Sequence, residues 1–194
     1  AKLVIKTEVV VLPGYGSVLL PGPNGFFKKN EQTRLNPSYM PMQLMTRFAG
    51  TLAGPVWQQL QASSLSLILD TSPNGFAPDW IYYRYNQGLD FTSTKSSYDA
   101  IRVYLWVGLL PEQAVYTQSL LEHFKLTTIY LDKIGYVPTE VDVQTLLYNQ
   151  HSSPGFAASM LPVVSRLGFV ELQNKLRQQV DLDSLQQGNN YYDY

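Results

Sequence analysis

The stretch Ser96-Ser97-Tyr98-Asp99-Ala100-Ile101-Arg102-Val103-Tyr104-Leu105-Trp106-Val107-Gly108 is a helix-like run, apolar except for one carboxylate and one guanidinium. Ser96 or Ser97 suits an N-cap, which places Asp99 in the first turn, where backbone N–H groups without partners and the helix dipole favour a negative charge. Arg102 comes three residues later, on the same helix face, and its planar fork can hold a carboxylate oxygen in a fixed direction. Two readings fit. Asp99 is either an N-terminal aspartate in a structural ion pair, or a base whose direction is set by Arg102. The apolar residues Ile101, Val103, Leu105, Trp106 and Val107 predict a helix covered on nearly every side, and charges at the end of such a helix are expected to face a cleft.

Working outward, 194 residues with 45% hydrophobic content supply one sizeable core or a large part of a bigger one, and a second independent domain is not expected. A formal net charge of −1 gives no electrostatic footprint for nucleic acid or an anionic membrane, so the expected partner is neutral. No apolar run reaches the roughly 18 residues needed to span a bilayer, and the first residues lack the layout of a secretion signal. Cysteine is absent, which removes disulfides, thiolate metal sites and a cysteine nucleophile. His123 and His151 are too isolated to form a ligand set, so neither metal nor cofactor is expected. The 14 tyrosines pair an apolar ring face with a hydroxyl, which suits the C–H faces and hydroxyl rims of sugars. Tyrosines fill cores and interfaces equally well.

Along the chain, residues 1–7 read as the tail of a helix. Val9–Leu12 and Ser17–Leu20 read as two strands joined by a glycine-rich turn. A polar loop through Asn24, Lys28 and Asn30 leads to Asn36-Pro37-Ser38-Tyr39. Pro37 suits the first helical position, with Met42, Leu44, Met45 and Phe48 as the apolar face up to Gly50. A helix is expected from Pro55 to Leu69. The loop Gly75–Trp80, which joins Asp79 to Trp80, then precedes an aromatic strand at Ile81–Tyr85, and a loop of that kind often faces ligand. Further helices are expected from about Glu112 to Leu131, from Gly155, and from Phe169 to Leu182, with a weaker stretch at Val141–Tyr148 and a helix start within 188–194. Five or more helices, one or two hairpins and no βαβ alternation point to a mainly α fold with helix-on-helix packing.

Asn36-Pro37-Ser38-Tyr39, Pro78-Asp79-Trp80 and Ser97-Tyr98-Asp99-Ala100-Ile101-Arg102 together resemble glycoside hydrolase family 8. Val10–Ser17, Leu20-Pro21-Gly22 and Gly155-Phe156-Ala157-Ala158 extend the likeness over nearly the whole chain. The resemblance implies an (α/α)6 barrel, with residues 1–194 as the C-terminal part of a single catalytic domain. It also implies inverting endo-hydrolysis of β-1,4-glucan (cellulose), a functional link to bacterial cellulose synthase, and a periplasmic or secreted address. Under it, Asp99 is the general base and Arg102 the residue that orients it. Tyr39 lines the cleavage subsite, and Tyr98 and Trp80 are sugar contacts. Asp79 is a further substrate-binding candidate, although a loop aspartate that satisfies backbone N–H groups is the alternative for it.

Inverting hydrolysis needs a second, protonated carboxyl roughly 6.5–9.5 Å from the base. The family places that acid in a Ser-Glu-Gly-Gln-like motif of the N-terminal half, which this sequence does not contain, and nothing in the spacing of Asp79, Glu140 or Asp142 makes any of them the acid. A non-catalytic glucan-binding or scaffold fragment is therefore the alternative reading, as is the same fold acting on xylan or chitosan. Half a barrel is also expected to leave Val103, Leu105 and Val107 without partners, so that the chain pairs with the missing N-terminal half or with itself.

Overall fold

The computed structural model describes residues 1–51, 54–92 and 94–185. Three antiparallel sheets and a cluster of helices make up these residues, and both contribute to the core. After α1 (Lys2–Thr7), strands β1 (Val9–Leu12) and β2 (Gly16–Leu19) form the expected hairpin, in register from Val9↔Leu19 to Leu12↔Gly16. Gly14 and Gly16 supply the left-handed backbone of its turn, with φ of 83° and 73°. The hairpin lies on α3 (Gly54–Asp70), where the Ser63 hydroxyl donates to the Ser17 carbonyl at 2.6 Å.

The second sheet has four strands in the order β3 (Phe27–Lys28), β4 (Gln32–Leu35), β5 (Ile81–Arg84) and β6 (Gly88–Asp90). Thr33, Leu35, Ile81 and Tyr83 face the core on alternate positions, as a period of two requires. The β4–β5 register pairs Leu35 with Ile81, so the 3₁₀ turn Pro37–Tyr39 that leaves β4 lies beside Trp80, which enters β5. The segment around Lys28 and Asn30 is thus part of a sheet, where the sequence suggests only a polar loop. A two-residue strand carries no periodicity to read, and its pairing partners supply what its sequence lacks.

Next come α2 (Met42–Thr51), a two-residue strand β7 (Lys95–Ser96) paired with β8 (Val141–Asp142), and four more helices. These are α4 (Ile101–Gly108), α5 (Thr117–Ile134), α6 (Pro154–Arg166) and α7 (Val170–Leu185), which bring the described residues to seven α-helices. None of them is long and apolar enough to cross a membrane. The core runs between them, with Leu60, Phe124, Phe156, Met160 and Leu172 fully buried.

Three expectations change. Helix α4 begins at Ile101, with Ala100 at its N-cap position and no side-chain cap. Ser96 belongs to β7, and the Ser97 hydroxyl donates to the Thr139 carbonyl at 2.6 Å, so neither serine caps. Val141–Tyr148 is β8 followed by a turn held by Asp142, whose Oδ1 accepts from Gln144 N–H and from the Thr145 N–H and hydroxyl, and Leu146 takes a φ of 60°. Val103 and Val107, at 4% and 3% exposure, are already covered within this chain. They line a small cavity with Met42, Ile68 and Leu120, while α4 crosses α6 at Gly108, where a Cβ would lie 2.4 Å from the Val163 nitrogen, so the crossing is as close as two backbones allow. The helix start expected within 188–194 lies outside the described residues.

Candidate active site

Asp99 lies in the turn 98–100 that joins β7 to α4. The capping role comes from another loop. Asp79 Oδ1 accepts the backbone N–H groups of Ser97 at 2.9 Å, Asp99 at 3.0 Å and Ala100 at 2.8 Å. Burial raises the Asp79 carboxyl above the ordinary aspartate range. The three N–H donors work against that rise, and the nearby Asp99 charge adds to it. Of the two roles the sequence allows for Asp79, this geometry is that of the loop aspartate satisfying N–H groups.

On the side-chain side, Arg102 Nη2 donates to Asp99 Oδ1 and, at 3.1 Å, to Ser38 Oγ, with Nε of the same guanidinium 3.4 Å from that oxygen. Ser38 Oγ spends its own proton on Asn36 Oδ1 at 2.7 Å, so its lone pairs face Arg102. Asn36 is completely buried and also caps its own turn through Ser38 N–H. Donation therefore runs outward from Arg102, to Asp99 on one side and through Ser38 to Asn36 on the other. The side chains of Asp99 and Arg102 are 23% and 32% exposed, which leaves the carboxylate reachable by water yet fixed.

The aromatic residues are arranged around this pair. Tyr39, 47% exposed, has its ring centroid 5.7 Å from the Arg102 guanidinium carbon and 6.4 Å from Trp80. A groove of about 220 Å³ opens beside Tyr39, lined by Pro41, Leu44, Phe48 and Trp57. Trp80 is more occupied than its sequence suggests. The Arg34 guanidinium stands over its ring at 3.9 Å, and Phe26 stacks parallel to it at 5.9 Å. Tyr98 is 48% exposed and rests edge-on against Phe156 at 5.0 Å.

Glu140, Asp142 and His123 have other tasks. Glu140 pairs with Lys95 at 2.7 Å on the surface. Hydrogen bonds from Thr145 hold the Asp142 carboxyl below the usual range, the opposite of what a protonated acid needs. His123 Nε2 lies 2.8 Å from the Ser72 carbonyl.

Ser38 and Asn36 are the site residues that sequence reasoning misses. Asn-Pro-Ser-Tyr reads as a helix start, and the contact from Ser38 to Arg102 spans 64 residues that carry no local signal.

The sequence profile of Glycosyl hydrolases family 8 matches residues 1–194. The chain belongs to that family. An endoglucanase of Escherichia coli (strain K12) is 39% identical over 196 residues, covering all of this chain and 51% of its own length. An endoglucanase of Salmonella typhi is 40% identical over the same span. The chain spans about half the length of the curated relatives it matches. The endo-1,4-D-glucanase of Vibrio fischeri ES114 superposes with a TM-score of 0.85 and 31% identity, over 99% of this chain and 56% of that one. The architecture is thus that of the family 8 (α/α)6 barrel, of which these residues form part.

Proposed function

We propose that residues 1–194 are the C-terminal part of a family 8 catalytic domain and carry the base side of an inverting endo-β-1,4-glucanase. Asp99 acts as general base. The reading rests on one observation above all: a partly exposed carboxylate fixed by Arg102, itself fixed by Ser38, beside the ring of Tyr39. The relatives named endoglucanase support the substrate class.

In this mechanism Asp99 takes a proton from a water on the sugar face opposite the leaving group, and that water attacks the anomeric carbon in a single displacement through an oxocarbenium-like state. Arg102 keeps the base pointed, while Tyr39 and Tyr98 bear on the sugar faces. Protonation of the departing oxygen falls to a carboxylic acid outside these residues. A glucan polymer as substrate fits a periplasmic or secreted setting.

The test is reducing-sugar release from carboxymethylcellulose, by the chain alone and by the chain joined to the half of the Escherichia coli enzyme it does not span. The joined form is expected to be active with inversion at the anomeric carbon, and Asp99→Asn should cost roughly 10²–10⁴-fold in turnover. Activity indifferent to Asp99→Asn removes Asp99 as base. Oligosaccharide binding with no turnover in the joined form favours a glucan-binding fragment.

A further inference from the structure

The base side chain is held by Arg102, but its backbone is held by a residue that contributes nothing else to the pair. Three amides of the turn that carries Asp99, those of Ser97, Asp99 and Ala100, converge on one oxygen of Asp79. A single N-cap bond leaves a turn free to pivot about the bonded amide. Three N–H vectors meeting at one point do not.

Asp79 is itself tied down. Its own N–H donates to the Lys95 carbonyl at 2.7 Å, and Lys95 lies in β7, which pairs with β8. Two residues earlier, the Ala77 N–H donates at 2.9 Å to the buried hydroxyl of Tyr104 in α4, which stands 3.1 Å from Ser96 Oγ. The loop around Asp79 thus hangs on the strand before Asp99 and on the helix after it.

We propose that Asp79 is a positioning residue that sets the direction of Asp99 through the backbone, and that it does so as an acceptor of N–H bonds, without touching sugar. Asp99 is located from two independent elements: Asp79 fixes its amide end, and the β4 turn, through Ser38 and Arg102, fixes its carboxylate end. The inference rests on the reading of Asp99 as base.

Two kinds of substitution separate aim from charge and from general stability. Asp79→Asn keeps a carbonyl oxygen for the three amides and removes the charge, whereas Asp79→Ala removes the acceptor. Hydrogen exchange by NMR in the full chain is read at the Ser97, Asp99 and Ala100 amides and at Arg102 Nε–H, with the β1–β2 amides as internal reference. The alanine variant is expected to exchange about tenfold or more faster at all four groups with the reference unchanged, and the asparagine variant to restore the slow rates. Where alanine does not fold, Asp79→Ser, with one short acceptor, should give intermediate rates.

In the glucan-hydrolysing form used for Asp99→Asn, the alanine or serine variant loses kcat at constant KM and the asparagine variant recovers it. Unchanged exchange at Arg102 Nε–H, or a rise in KM at constant kcat, overturns the proposal, the latter by making Asp79 a sugar contact. If no form hydrolyses glucan, the proposed function fails by itself, and the exchange rates still decide whether Asp79 aims Asp99.

Discussion

Ser38 Oγ accepts from Arg102 Nη2 at 3.1 Å while donating to Asn36 Oδ1 at 2.7 Å, so one hydroxyl joins the end of a sheet strand to the guanidinium that holds Asp99. This contact links the two halves of the site. The strand pair places the aromatic ring of Tyr39, the helix entry places the carboxylate, and Ser38 fixes the distance between them.

Ser38→Ala is expected to leave Arg102 with one acceptor fewer and Asn36 Oδ1 with one donor fewer. A hydrogen bond to a charged group is worth about 1.5–3 kcal/mol, so turnover should fall about tenfold or more. Steady-state kinetics on carboxymethylcellulose checks it, and a change confined to KM places Ser38 outside the chain of donation.

Arg102→Lys keeps the positive charge and loses the fork. A lysine ammonium is a single point that cannot address Asp99 Oδ1 and Ser38 Oγ in the present geometry, nor present a planar face to Tyr39. Turnover should fall by about 10²-fold, with oligosaccharide affinity little changed. Parity between Lys and Arg in the kcat assay means that charge alone suffices.

Gly108→Ala drives a Cβ to 2.4 Å from the Val163 nitrogen and 2.5 Å from the Pro162 Cβ. Both neighbours sit in a helix that cannot yield locally, so the crossing of α4 and α6 must open. Urea unfolding should show a loss of about 1–3 kcal/mol or more. An unchanged midpoint would mean that the helices slide apart without cost.

The Asp79 carboxyl titrates above its unfolded value of 3.8, chiefly because it is buried. A carboxyl with a raised folded pKa favours the native state when protonated, and that contribution is lost as pH rises through the raised value. At neutral pH the charged Asp79 therefore costs stability, and Asp79→Asn should be at least as stable as the unaltered chain. The advantage should shrink as pH falls through the raised value and be gone below the unfolded value of 3.8. Thermal unfolding midpoints of the two proteins at neutral and acidic pH measure it, and a variant less stable at neutral pH alone contradicts the sign.

Much of this site is legible in the sequence because its chemistry is local. Asp99 and Arg102 are three residues apart, and their pairing needs only the turn into α4. Tyr39 and Trp80 stand out as aromatics in loops, although nothing local indicates that Arg34 and Phe26 already occupy Trp80. The cap is where local reasoning fails. Ser96 and Ser97 have the right chemistry at the right place, yet β7 pairing and the Thr139 carbonyl claim them, and Asp79, twenty residues earlier, takes the amides. Likewise, Glu112–Tyr116 precedes α5 as a turn, because Thr117 N–H donates to Ala114 and its hydroxyl to Pro111. The cap is lost to long-range hydrogen bonds, whereas the later start of α5 is set by local ones that the apolar pattern does not report.

The pairing of Leu35 with Ile81 has a consequence for how such a site can vary. Because successive strand residues point to opposite faces, slipping that ladder by a single step would turn Leu35 outward and swing Tyr39 away from the guanidinium. The sheet is therefore the gauge of the cleft. Loop tips such as the one at Asn30 are free to lengthen, whereas the few residues from Leu35 to Tyr39 must keep their count for the ring and the charge to meet.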